Sequence, residues 1–549
     1  MLRPVSVISI SFVFTILSAF SAEPPWVRPS KEAQAEQVAA EQAPAERGSA
    51  GRSRHIQVTP SELQLTGSFD RAQLVVSQCS LGGATDHRSE DLTTKALYRS
   101  SDENVVRINA TGQATVAGNG KAEISVEWGG SRELVAVNVQ GVSSDTNGAD
   151  GVAKIDFLKD IRPILSKAGC AAGACHASQH GKGGFKLSVF GFDPSADYES
   201  ITQNSRGRRV NIACPEASLL LEKATMQVTH GGGPRLELGS MEYDVLRKWI
   251  ESGAPDSPKS DVSVKRLEVF PRQRVDSLGS EQQLRVVANY VDGSQRDVTG
   301  LAIYDALDTG ILQVTASGYV MTKGNGQSAI MIRYDGQTAI STFVVPYSEN
   351  ASLTDWQNHN FIDAFASAKF SDLGIEPSPL CDDATFVRRA FLDAIGSLPD
   401  PATVVRFVES TDTNKRSRLI DQLLGMTGDP KQAIYNDLYA AFWTLRWSDL
   451  IRNNSASLGE QGMWAMHNWI RDSFRVNKPF DQFVREMVTA KGSIYSNGPA
   501  NYFRVHGDTA ALTEATSQLF MGVRLECAKC HQHPFESISQ TDYYSMSAF

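Results

Sequence analysis

Between residues 55 and 142 apolar and polar positions alternate in short runs, as in "AEISVEW" and "ELVAVNV", broken by Gly and Asn. A period of two predicts strands with one buried face. The pattern returns at 262–347, and within the two stretches 38 residues align without a gap. "DLTTKALYRSSDENVVRINATGQATVAGNGKAEISVEW" (91–128) matches "DVTGLAIYDALDTGILQVTASGYVMTKGNGQSAIMIRY" (297–334), pairing Asp91 with Asp297, Tyr98 with Tyr304 and Gly112 with Gly318. Each copy is expected to form a small sandwich of antiparallel strands.

Elsewhere the period lengthens. Within 150–256, "IDFLKDIRPILSKAGC" places Phe157, Ile161 and Ile164 on one helical face, and "SMEYDVLRKWIESGAPD" does the same with Val245, Leu246, Trp249 and Ile250 before Gly253 and Pro255. From 355 to 549, segments such as "DATFVRRAFLDAIGSLP" and "PFDQFVREMVTA" repeat apolar residues every three or four positions. The expected fold class is multidomain: two all-β sandwiches, an all-α domain between them, and a mostly α-helical C-terminal domain. The chain stops at Phe549 within a helical pattern, so a truncated C-terminus is expected.

The first residues change the chemical setting. "MLRPVSVISISFVFTILSAFSAEPP" joins a charged start, an apolar run and small residues, the layout of a cleaved signal peptide over 1–22. An uncleaved anchor helix is the alternative, although the run is shorter than the ~20 residues a span needs. Residues 23–54, rich in Ala, Glu, Gln and Pro, read as a flexible linker. A periplasmic, secreted or cell-surface location follows, with no transmembrane span after signal cleavage. The net charge of −9 shows no basic face and argues against nucleic acid.

Export bears on the cysteines, of which the chain has seven, too many by one for complete internal pairing. Four fall in two close pairs. "CAKCH" (Cys527–His531) has two thiols one helical turn apart, able to hold one haem edge, with His531 following as iron ligand. "CAKCHQH" also offers His533, so a zinc set and a redox pair remain open. "CAAGACH" (170–176) has the same ends, Cys170, Cys175 and His176, around a four-residue spacer that must bulge. A Cys170–Cys175 disulfide or two free thiols are its alternatives. For a ligand on the far side, His230 in "THGGGPRL" is the first choice and Met226 the second. For the later motif the candidates are His467 and His506. Taken alone, each of these is more often an ordinary core or loop residue.

These residues resemble known families. The two β stretches are similar to group 2 bacterial immunoglobulin-like modules (BIG2), placed at 55–142 and 262–347. "FLKDIRPILSKAGCAAGACH…GKGGFKLSVFGFD…HGGGPRL…EYDVLRKWIESGAPD" resembles the planctomycete-type cytochrome c domain, placed at 150–256. "FVRRAFLDAIGSLPDP…FDQFVREMVTAKGS…ECAKCHQHPFESISQ" resembles the DUF1549 domain, placed at 355–549. The first resemblance implies attachment roles for Cys170 and Cys175 and iron ligation by His176. The second implies a haem motif with no reaction attached.

The functional expectation is an exported c-type cytochrome-like protein carrying one or two covalent haem c groups and transferring electrons to a redox partner protein. The Ig-like modules would set spacing or contact a cell surface or carbohydrate. A haem- or metal-dependent periplasmic enzyme and a structural or adhesive surface protein are the alternatives; no catalytic residue can be named.

Overall fold

The computed structural model describes residues 55–79, 84–142, 155–257, 263–349, 351–353, 356–426, 431, 433–530, 533 and 538–549. The signal-peptide and linker expectations lie outside the described residues. No helix among the described residues is long and apolar enough to cross a membrane. The chain divides into two compact units, one mainly 44–377 and the other mainly 378–529.

Each copy of the repeat folds into sheets around one core. In the first, Gly120–Trp128 and Ser131–Gln140 form the central hairpin, flanked by Leu97–Ser100 and Glu62–Thr66. In the second, Gly326–Tyr334 and Gln337–Val345 take the same place, flanked by Ile303–Ala306 and Gln273–Val275. Alternation works as the pattern predicts: Ala122, Ile124 and Val126 point inward with Val135, Val137 and Val139. One expectation is corrected. Glu62–Thr66 and Gln273–Val275 run parallel to their neighbours rather than antiparallel. A period of two reports which face is buried and carries no strand direction. Both partners lie far apart in sequence, as a parallel pairing requires.

The matched repeat residues have one physical role in both copies. The Tyr98 hydroxyl donates to the Thr93 carbonyl at 2.7 Å, and Tyr304 to Thr299 at 2.8 Å. Gly112 and Gly318 adopt φ +75° and +79°, where an added Cβ would meet those hydroxyls at 3.0 and 2.9 Å. Glycine is therefore needed twice over. Asp91 and Asp297 each receive the backbone N–H two residues on.

The same aspartates join the copies reciprocally. Gln73 N–H donates to Asp297 at 3.1 Å, while the Gln283 N–H and the Gln282 side-chain amide donate to Asp91. Gln73 and Gln283 each also bond the carbonyls of Leu74 and Thr111, or Leu284 and Ser317. The modules thus pair face to face with approximate two-fold symmetry.

The intervening stretch is all-helical among its described residues, apart from a single Lys182–Phe185 bridge. A wide turn at Phe157–Ile161 leads into α1 (Arg162–Lys167); α2 (Pro194–Thr202), α3 (Leu219–Ala224) and α4 (Met241–Glu251) follow. Phe157, Ile161, Ile164, Val245, Leu246, Trp249 and Ile250 are all buried, in one core with Val286, Ile330 and Phe343 of the second module. Arg296 of that module reaches Asp160 at 2.8 Å and Asp70 of the first module at 3.5 Å. Arg71 of the first module pairs with Glu242 of α4 at 2.8 Å. The helical domain is fixed to both β modules. A fifth helix, α5 (Phe361–Leu373), is opened by an Asn360–Asp363 capping box and ended by left-handed Gly374.

The second unit holds α6 (Asp383–Ile395), α7 (Pro401–Glu409), α8 (Lys415–Leu424), α9 (Asn436–Ile451), α10 (Ser455–Arg475), α11 (Phe480–Val488), α12 (Asn501–Val505) and α13 (Thr509–Thr516). Asp382, Asp400, Asn454 and Asp508 cap α6, α7, α10 and α13 through their side chains. Two small cores result, one around Val387, Phe391 and Leu423 and one around Met466, Ile470, Phe483 and Tyr502.

Candidate functional site

The loop after α1 answers how four residues fit between Cys170 and Cys175. Gly169, at φ +77°, ends the helix and turns the chain. Ala171 is buried, while Gly173 and Ala174 bulge into solvent. The loop closes where the His176 N–H donates to the Cys170 carbonyl at 3.1 Å. Small residues are required on both counts: one tucks into the core and two loop outward. The Cys170–Cys175 disulfide considered above is not formed, since all seven cysteines are free. Burial pushes the Cys170 thiol up to about 11, so it is neutral at pH 7.

His176 is held from behind. Its Nδ1 lies 3.0 Å from the Phe185 carbonyl oxygen. A carbonyl only accepts, so Nδ1 carries the proton and the lone pair is left on Nε2. The "GKGGF" segment builds that contact. A Cβ on Gly181 would overlap the Phe185 carbonyl, and Gly181, Gly183 and Gly184 all adopt positive φ. Burial holds the His176 imidazole below its usual range, which keeps it neutral.

His230 is built in the same way. Its Nδ1 lies 2.9 Å from the Gly233 carbonyl, again leaving Nε2 available. The three glycines that follow are specific: a Cβ on Gly232 would sit 2.9 Å from His230 Cε1, and Gly233 turns at φ +73°. Arg235 ties this loop to the cysteine loop. Its Nε donates to the Gly232 carbonyl at 2.9 Å, and Nη2 lies 3.9 Å from Cys175 Sγ.

The two imidazoles face each other across 6.1 Å between ring centroids, with planes 9° apart. The structure therefore brings Cys170, Cys175, His176 and His230 together. Met226, the second choice, is 42% exposed. Sequence reasoning did not identify the Phe185 carbonyl, Gly232, Arg209 or Arg235; the glycine runs "GKGG" and "GGG" were the available signal for the first two.

The later motif is arranged differently. Glu526–Lys529 forms a short 3-10 turn with Ala528 buried, and both Cys527 and Cys530 are exposed. His531 lies outside the described residues. His467, on α10, stands edge-on to Trp464 at 5.2 Å. His506, just after α12, is 6% exposed and edge-on to Tyr502 at 4.9 Å. Among all the described residues, those of the first site included, no group of three or more His, Cys, Asp or Glu side chains is gathered around a position for a bare metal ion.

Residues 361–549 match the family model PSCyt2, a protein of unknown function (DUF1549). Among solved structures, domains 5–6 of the S-layer protein SbsC align with 53% of this chain and 96% of their own, at 12% identity and a TM-score of 0.22. Invasin, a bacterial integrin-binding protein, aligns over 55% of this chain and 61% of its own, at 9% identity and a TM-score of 0.11. Superpositions at these scores define neither fold nor function. No curated protein matches the sequence.

Proposed function

We propose that residues 155–257 form a c-type cytochrome domain, held between two immunoglobulin-like modules, in an exported electron-transfer protein. The observation that supports this is the pair of parallel imidazoles beside Cys170 and Cys175. The ring centroids of His176 and His230 are 6.1 Å apart and their planes 9° from parallel, so the two rings stand beside one another. Each Nδ1 is already committed to a backbone carbonyl, which fixes the ring's orientation and leaves Nε2 free to bind a metal. A haem at this site would be held covalently by Cys170 and Cys175 and at its iron by His176 and His230, whose Nε2 atoms are both left without a proton. Bound there, it supplies a one-electron Fe(III)/Fe(II) couple.

Were both His176 and His230 to hold the group, the site would suit electron transfer rather than substrate binding, which favours the first reading over the enzymatic alternative. The test is the full chain produced with a haem-attachment system. The expected result is a low-spin reduced-minus-oxidised spectrum, haem that survives acid extraction, and no carbon monoxide binding. Absence of covalent haem would overturn the proposal.

A further inference from the structure

Arg209 is 6% exposed yet makes no ion pair among the described residues. Its donors go instead to backbone carbonyls: Nη1 to Ser200 at 2.8 Å and Asn204 at 3.2 Å, and Nη2 to Gly184 at 2.8 Å. The guanidinium lies over the Phe185 ring at 4.6 Å, and that ring packs on His176 at 4.5 Å between centroids. A buried charge is costly unless paired, so a cation met only by carbonyls and a π-face is an exception. Among the described residues no carboxylate pairs with it, so its charge is not neutralised by a direct partner. Its bond to Gly184 also fixes the turn whose next carbonyl, on Phe185, orients the His176 ring.

We propose that Arg209 is a positioning residue with two effects on the centre: it fixes His176 through the Gly184–Phe185 turn, and its unpaired charge raises the reduction potential. The proposal rests on the haem reading above. Reduction adds one electron to the site, and a nearby uncompensated cation stabilises that state. Arg209 bonds through its fork, which lysine cannot reproduce, whereas lysine keeps the charge. The two effects are therefore separable.

The experiment is a spectroscopic redox titration of the haem-loaded full chain and of R209Q and R209K. In R209Q the reduced-to-oxidised ratio at fixed ambient potential should fall roughly tenfold, the scale of one unit charge acting across ~10 Å at an effective dielectric of about 20. For a one-electron couple that is about 59 mV. R209K should stay within about threefold of wild type while its low-spin ferric band weakens, because the charge remains and the fork is lost. An unchanged potential in R209Q would overturn the proposal, as would a tenfold fall in R209K; the latter decides alone if R209Q fails to fold. Wild-type protein without haem would instead overturn the underlying reading, and the proposal with it.

Discussion

Cys170–His176 and Cys527–His531 carry the same residue types in the same order, and the structure treats them differently. The first departs from the familiar spacing, yet its cysteine loop is closed by a backbone bond, its histidine is oriented by a carbonyl, and a second histidine faces it at 6.1 Å. The second has the familiar spacing, and both its thiols are exposed. Spacing records how two sulfurs relate to one another. What surrounds a motif records whether a ligand is positioned, and that information comes from loops distant in sequence.

The largest expected effect separates the motifs directly. Cys175→Ser should remove covalent haem from the first site, whereas Cys527→Ser should leave the low-spin signature of the histidine pair intact, both read by the haem spectrum after acid extraction. Loss of that signature in the Cys527 variant alone would reverse the comparison. Next, His230→Ala should remove one of the two histidines that would hold the haem iron, so the reduced protein gains carbon monoxide binding that the wild type lacks.

The frame around the first site gives effects on stability. Asp297→Ala leaves the partly buried Arg285, 3.0 Å away, and the Gln73 N–H without their partner. About 3–5 kcal/mol should be lost in denaturant unfolding, the cost of breaking a buried pair from one side. Tyr304→Phe deletes one hydroxyl bond and should cost about 1 kcal/mol. The smallest effect is on pH dependence. Burial raises the Asp91 and Asp297 carboxyls above the ordinary carboxylate range. A carboxyl that binds its proton more tightly when folded contributes stability below its unfolded pKa, lost as pH rises through the folded value. Asp91→Asn should therefore flatten the fall in unfolding temperature as pH rises above the ordinary carboxylate range, relative to wild type.

Much of this architecture was legible because single residues carry it. The match of Tyr98 and Gly112 with Tyr304 and Gly318 reflects a hydroxyl and a bare Cα that exclude any larger residue. Phe157, Ile161, Trp249 and Ile250 are buried as their spacing predicts. Strand direction was not legible, because alternation is the same either way along a strand. Nor was the reciprocal grip of Asp91 on Gln283 and Asp297 on Gln73, which depends on two modules meeting after an intervening domain. At the site, His230 was visible as a residue type, while the carbonyls of Phe185 and Gly233 that orient the two rings belong to the backbone, which a side-chain pattern does not report.

The reciprocal pairing of the modules has a mechanical consequence. Because each module grips the other, the helical domain between them is strapped down at both ends as a bypassed loop. Tension applied to the chain on either side of the pair would load the Asp91 and Asp297 contacts before it reached the His176–His230 spacing. An assembly anchored at one end and tugged at the other would keep that spacing until the two modules came apart.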